Sequence, residues 1–408
     1  MKYQDLKKIY YKDSKSHEKA YQLRYSAPFT EHLNFTVHQY NYDSNYPGFY
    51  CYTQEIVCLL DEIYSKCMSL YTLLPNIPEA GIIQYLHNLL IQEIKSSNAI
   101  EGVRSTRREI SNAMNQRNPS KYVRLWGIVN KYEKIINNEI ITLNEPMDIR
   151  LLFNDFLYKE IERDDPENLP DGKLFRKRSV DIVTATNKTV HRGVLPEEEI
   201  IKRMQYALDI LHSKEFPRLV RLAIFHYMFA YIHPFYDGNG RMVRFITSYM
   251  LAKEIHPTIA LRLSLLIKKN NKKYYDAFAL SENNYNRGDF TPFITYSLEL
   301  ILEAVNSTIA TLNGKLKQLT QYRKLLPKLS GKDNTLLSVC DILLQATIFS
   351  SYGASIDEIT NTIEKTRKTV QKRIDILPKH LLRINNSSKP YRYRFNKAVL
   401  DTYLNDIQ

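Results

Sequence analysis

Apolar residues recur at helical spacing along most of this chain of 408 residues, in stretches such as Ile56 to Leu70, Ile82 to Ile94, Leu219 to Ile232 and Phe293 to Leu312. Faces with a period of 3.6 residues are buried best against one another, so the chain is expected to fold as a mainly α protein. Strand-like alternation is scarce. Its clearest run is residues 179–194, where Ser179-Val180-Asp181-Ile182-Val183 alternates, Thr186-Asn187-Lys188 supplies turn chemistry and Thr189-Val190-His191 resumes extended character. This predicts one β-hairpin set among helices. A loop rich in Pro, Gly and acids, Asp164 to Gly172, leads into it, and Leu195-Pro196-Glu197-Glu198-Glu199 behind it reads as an acidic helix start.

The length exceeds the roughly 250–300 residues at which one core stops growing, so two or three domains are expected. A boundary falls where breakers and polar residues cluster, Leu326 to Asn334. Beyond it, Leu336 to Phe349 suits one helix, Ser355-Ile356-Asp357-Glu358 opens a second with capping-box spacing, and Thr366 to Leu377 gives a third. Leu381 to Ile384, a polar turn and Tyr391 to Phe395 then complete the pattern of a winged helix-turn-helix module. The net charge is +13, and from Lys315 onward 17 Lys and Arg stand against 8 Asp and Glu, so the excess is concentrated there. Cys51, Cys58, Cys67 and Cys340 have neither CxxC spacing nor matching histidines, so neither a zinc site nor a disulfide framework is implied and buried or incidental thiols are the better reading. Met1 to Lys15 lack an apolar core, and no run approaches the roughly 18 apolar residues that span a bilayer. No membrane contact and a cytoplasmic location are therefore expected.

The densest chemistry lies in His233-Pro234-Phe235-Tyr236-Asp237-Gly238-Asn239-Gly240-Arg241-Met242-Val243-Arg244, a loop between two predicted helices. Gly238 and Gly240 can take positive φ cheaply, so successive backbone N–H groups can form an anion nest at a helix mouth. Arg241 and Arg244 share a helix face and can clamp phosphates. Asp237 offers a hard oxygen for Mg²⁺, and His233 can take a proton at neutral pH. Each residue alone has a bland explanation as cap, turn or surface ion pair. Together, within twelve residues, they point to phosphate chemistry.

This stretch resembles the signature of the Fic family, His-x-Phe-x-(Asp/Glu)-Gly-Asn-Gly-Arg-x-x-Arg, at every specified position. Gly172-Lys173-Leu174-Phe175-Arg176 with the hairpin at 179–194 is similar to the family's target-docking flap, and Tyr274-Tyr275 and Gly288-Asp289-Phe290-Thr291-Pro292-Phe293 resemble its closing helices. The resemblance implies a division into an N-terminal helical region (1–115), a Fic catalytic core (116–312), and a linker helix with the winged-helix module (313–408). It implies a protein adenylyltransferase that moves AMP from Mg²⁺-bound ATP to a Ser, Thr or Tyr hydroxyl. His233 would be the base, Asp237 the metal ligand, Gly238, Asn239 and Gly240 the anion hole with Asn239 also touching phosphate, and Arg241 and Arg244 the holders of the outer phosphates. Phe235 would pack the loop from beneath, and Tyr274 and Tyr275 would line the adenine pocket. The family often carries Asn seven residues beyond the second tyrosine, where this chain has Glu282.

Ser97-Asn98-Ala99-Ile100-Glu101-Gly102 ends an amphipathic helix, with Ser97 and Glu101 on one face and Gly102 suited to the position after the C-cap. A carboxylate at a helix C-terminus calls for a cationic partner. In the resemblance this is the inhibitory helix of the class with an N-terminal inhibitor, and Glu101 would pair with Arg244 and exclude the γ-phosphate. The same glutamate could position water for the reverse reaction, removal of AMP. Phosphoryl transfer of the Doc type is disfavoured because those loops carry a lysine. A different class of reading is a nucleotide-sensing DNA-binding regulator: Lys365, Arg367, Lys368, Lys372 and Arg373 fall on the candidate recognition helix, and Lys389, Arg392 and Arg394 on the wing beside Tyr391 and Tyr393, within residues 355–395. A target protein on the flap, DNA on the C-terminal module and a second copy of the chain are the partners considered.

Overall fold

The computed structural model describes residues 3–116, 118–183, 189–350, 352–386 and 390–405. They fall into two compact units, each discontinuous in sequence. The first comprises Met1–Ser65, Ser96–Arg104 and Gly127–Ala304, and the second Lys66–Lys95, Ser105–Trp126 and Val305–Gln408.

The first unit holds two small antiparallel hairpins among helices. β1 (Thr30–Val37) pairs with β2 (Tyr46–Cys51). This hairpin is absent from the sequence-based expectation, although Leu33, Phe35 and Val37 alternate inward along β1. β3 (Asp181–Val183) pairs with β4 (Thr189–Arg192), as the alternation predicts, and the expected turn at Thr186-Asn187-Lys188 lies outside the described residues. The helix α1 (Glu79–Ile100) delivers its last residues, Ser96 to Ile100, to this unit. At the centre is α2 (Arg218–Ile232), twelve of whose fifteen residues are buried, so it is enclosed on nearly every side. It packs against Glu197–His212 on one side and α3 (Asn239–Glu254) on another. α4 (Asn271–Ser281) closes the aromatic core through Tyr274 and Phe278.

In the second unit α5 (Asn334–Phe349) is followed by β5 (Ala354–Ser355), α6 (Ile356–Ile363), α7 (Arg367–Ile376), β6 (Leu382–Asn385) and β7 (Arg392–Phe395). The sheet order is β5-β7-β6. Ser355 and Glu358 form the capping box that their spacing predicts, and Thr366 caps α7. Phe349, Val370, Ile374, Leu381 and Phe395 make the buried centre. Two expected surface cations are not on the surface's free face: Arg392 is buried against the Tyr352 ring and pairs with Glu358 at 2.7 Å, and Arg373 pairs with Asp333 at 3.1 Å. Lys389 lies outside the described residues. Among the described residues, no helix is long and apolar enough to cross a membrane.

Candidate active site

α2 ends because His233 turns into the left-handed region at φ 53°, its N–H still bonded to the Phe229 carbonyl at 3.0 Å. The ring Nδ1 lies 3.3 Å from the Ala230 carbonyl. A carbonyl only accepts, so Nδ1 carries the proton and Nε2 keeps its lone pair. Burial, reinforced by the nearby His191 and Arg176 charges, lowers the His233 pKa to about 3, so the imidazole is neutral near pH 7.

Arg176 fixes this corner. Its side chain is fully buried and meets only carbonyls, donating to His233 at 2.8 Å, Val194 at 2.9 Å and Arg178 at 2.7 Å. Burial pulls its pKa down to about 10. Gly193 leaves it room: a Cβ there would stand 2.3 Å from an Arg176 terminal nitrogen and 3.1 Å from His233 Cβ. Beside it, Glu197 turns inward and accepts the N–H groups of Lys173, Leu174 and Phe175 at 2.7–3.0 Å. The sequence marks Glu197 only as an acidic helix start and Arg176 only as part of the flap stretch. Their partners are distant in the chain, so spacing could not reveal these roles.

The loop itself is stapled by Asn239, which accepts from the Phe235 N–H at 2.9 Å and donates to the Phe235 carbonyl at 2.8 Å. One N–H of the Asn239 amide is thus committed to holding the loop closed, while its backbone N–H lies at the mouth of the helix. Phe235 is buried and stacks on Phe153, ring centres 4.1 Å apart. Gly238 is left-handed at φ 87°, and a Cβ would press within 2.4 Å of Leu157 in the π-turn Asn154–Tyr158. Gly240 differs from expectation. It sits inside α3, outside the positive-φ region, and its value is space: a Cβ would fall 2.0 Å from Glu101 Oε1 and 2.9 Å from an Arg244 terminal nitrogen.

The two arginines have separate partners. Arg241 donates to Asp237 at 2.9 Å, leaving that carboxylate about half exposed. Arg244 is buried and fully engaged by the end of α1: it donates to the Ser97 hydroxyl at 3.0 Å, the Ser97 carbonyl at 2.9 Å and the Glu101 carboxylate at 2.7 Å. Burial alone would lower the Arg244 pKa, but the Glu101 charge outweighs it and the net shift is upward. Gly102, left-handed at φ 73°, ends the helix immediately after. Thus Glu101 rests over Gly240 at the N-terminus of α3, where the helix dipole favours an anion.

Of the tyrosine pair, Tyr274 is buried. Its hydroxyl bonds His226 Nε2 at 2.8 Å, His226 Nδ1 meets the Thr247 hydroxyl at 2.8 Å, and Thr247 donates to the Val243 carbonyl at 2.7 Å. Tyr275 is about half exposed. Glu282 is bonded to His191 of β4 at 2.9 Å. Beside the flap lies a cavity of about 550 Å³, lined in part by Tyr40, Arg192, Val194, Arg203 and Tyr231. Among the described residues no three His, Cys, Asp or Glu side chains gather as a metal cluster. The Asp237 carboxylate, about half exposed on the loop, presents a hard oxygen of the kind Mg²⁺ takes.

These features define a class: a helical domain whose central buried helix ends in a histidine, followed by a glycine-lined loop and a helix opening on two arginines. Residues 149–251 match the profile of the Fic/DOC family, and the chain carries a domain of that family. The protein adenylyltransferase Fic of Drosophila virilis is 30% identical over 97 residues, 24% of this chain and 18% of that protein. Its counterpart in Nematostella vectensis is 31% identical over 103 residues, covering 25% and 21%. The chain thus spans about a fifth of the length of these curated relatives. A crystal structure of a Fic family protein from Desulfovibrio desulfuricans G20 superposes with a TM-score of 0.50 at 21% identity, over 84% of this chain and 96% of that one, a likeness of fold.

Proposed function

We propose that this chain is a protein adenylyltransferase held inactive by Glu101. The observation that carries the proposal is the seat of the Glu101 carboxylate, bonded to Arg244 and packed against Gly240 at the mouth of α3. The names of the Fic relatives support the reaction class. In this reading the acceptor hydroxyl gives its proton to His233 Nε2 as its oxygen bonds the α-phosphorus of ATP. The bond from that phosphorus to the bridging oxygen breaks, and pyrophosphate leaves with its electron pair. The N–H groups of Gly238, Asn239 and Gly240 hold the phosphates, and Arg241 and Arg244 take the outer ones once Glu101 has left Arg244. Mg²⁺ held by Asp237 would neutralise phosphate charge. Tyr275 borders the adenine and Tyr274 supports it from the core. An extended target segment adds to the β3–β4 flap through backbone hydrogen bonds.

The test is lysate incubated with Glu101→Gly protein and ATP labelled at either the α- or the γ-phosphate. The α-label should appear on protein and the γ-label should not. Transfer of the γ-label instead would identify a phosphoryl transferase, and release of AMP from a premodified target without any gain in transfer would identify the reverse reaction.

A second reading, for the C-terminal module, is that it binds duplex DNA. Arg383 and Arg394 are register partners on β6 and β7, and like charges facing across a strand pair destabilise it unless an anion meets them. Lys365, Arg367, Lys368 and Lys372 are exposed on or beside α7. Affinity for a mixed-sequence duplex should fall steeply and linearly on a log–log salt plot. Absence of binding at low salt would remove the reading.

A further inference from the structure

His191, on β4, meets an acceptor at each ring nitrogen: Nδ1 is 2.9 Å from Glu282 Oε2, and Nε2 is 2.7 Å from the Tyr231 carbonyl. Its ring is buried, and so is most of the Glu282 side chain. A neutral imidazole has a single N–H, so beside an ionised Glu282 it would set a lone pair against one of two acceptors in a dry site. The pair must therefore hold one proton more than a neutral histidine and a free carboxylate do. Two residues past His191, Gly193 lies against His233, and the Val194 N–H bonds the Ile232 carbonyl at 3.1 Å. The place of β4 is thus also the place of the wall beside the candidate base.

We propose that His191 and Glu282 are positioning residues, whose shared proton fastens flap strand β4 to α2 and to the end of α4 and so sets the docking strand beside His233. The inference deepens the adenylyltransferase reading and rests on it for the role of the flap. The charged and titratable groups around the pair are His38 from the β1–β2 connection, Arg176 before the flap, Asp181 on β3, and Tyr227, Tyr231 and His233 from α2 and its cap. Burial opposes the charge on His191 and Arg176 adds to that opposition, while Glu282 and the Tyr231 carbonyl outweigh both, so its pKa is raised. The fastening is complete at low pH and is lost as pH rises through that value, because the deprotonated ring faces an acceptor with a lone pair. Glu282 stands where the resembling family often has Asn, and its commitment to His191 gives it a use that needs no nucleotide.

The experiment is ¹⁵N NMR of the histidine rings in the full chain, joined to amide exchange of residues 189–192 corrected for intrinsic rates. Both His191 nitrogens should be protonated near pH 7, with a midpoint above the ordinary value of about 6.5. Glu282→Gln should lower that midpoint by about one unit or more and speed flap exchange about tenfold near pH 7.5, with parental exchange restored near pH 5.5. ATP affinity should be unchanged, and in the Glu101→Gly background self-labelling near pH 7.5 should fall about tenfold. A singly protonated His191 near pH 7 in the unaltered chain overturns the proposal, a measurement that no folding defect can obscure. So does an unshifted midpoint in Glu282→Gln, or lost ATP affinity with an unshifted midpoint, which would make Glu282 a nucleotide contact. The ring and exchange readouts need no AMP transfer, so they stand or fall separately from the adenylyltransferase reading.

Discussion

At Gly240 the absence of one carbon decides what can occupy the mouth of α3. A methyl group there would overlap the Glu101 carboxylate, with 2.0 Å between Cβ and Oε1. Gly240→Ala is therefore expected to destabilise the protein by about 1–3 kcal/mol through overpacking. Much of that cost should vanish when Glu101→Gly is added, giving a coupling of about 1 kcal/mol or more in a denaturation cycle. Additive effects would mean that the two groups do not touch. His233 makes a different prediction, because its free Nε2 faces the acceptor hydroxyl and not the nucleotide in the proposed reaction. His233→Ala should abolish α-label transfer while Mg²⁺-ATP affinity, measured by calorimetry, stays within about threefold. Parental labelling by that variant would deny His233 the role of base.

Elements carry these residues with unequal visibility in the sequence. The helical periods of Leu219 to Ile232 and Phe293 to Leu312 foretell Arg218–Ile232 and Thr291–Arg323 because burial on one or all faces leaves a regular apolar trace. The β1–β2 hairpin escapes because β2 contains Pro47 and Gly48, which read as breakers. Gly48 is there for close approach, since a Cβ would come within 2.5 Å of the Phe290 ring. The loop motif was legible in its spacing, and the carboxylate at the helix end asks for a cationic partner, but that Arg244 is this partner was implied only by the resemblance to the Fic family. What remained hidden depends on distant partners: the Asn239 staple, the Tyr274–His226–Thr247 chain and above all Arg176, which ties residues 178, 194 and 233 together by carbonyls alone. Arg176→Lys cannot reproduce that three-way fork. In the Glu101→Gly background it should lower labelling about tenfold or more with little change in ATP affinity, since small misplacements of catalytic groups are costly. Equal loss of nucleotide binding would show that Arg176 supports the whole loop and not the His233 corner.

Over the whole molecule, burial holds His226 and His233 at pKa values of about 3 and His256 at about 4. The unfolded chain takes protons on these residues near pH 6.5 and the folded chain does not, so stability should fall as pH drops from about 6.5 toward 4. His191 works in the opposite sense, its stabilising contribution fading as pH rises through its raised value. Melting temperature measured between about pH 4.5 and 8 should therefore decline on the acid side, and a flat acid limb would contradict the neutral state assigned to the buried histidines. The proposed inhibition also spans the chain, since Glu101 and Arg244 are 143 residues apart in sequence and meet only when folded. Its most direct test is the rate of α-label transfer from ATP to protein by the unaltered chain, Glu101→Gly, and Glu101→Gly with Arg244→Ala. Removing the carboxylate frees Arg244 for the γ-phosphate, so Glu101→Gly should raise the rate by about a hundredfold or more, and the added Arg244→Ala should lose most of that gain. An unchanged rate in Glu101→Gly, with the protein folded and binding ATP, would contradict the account.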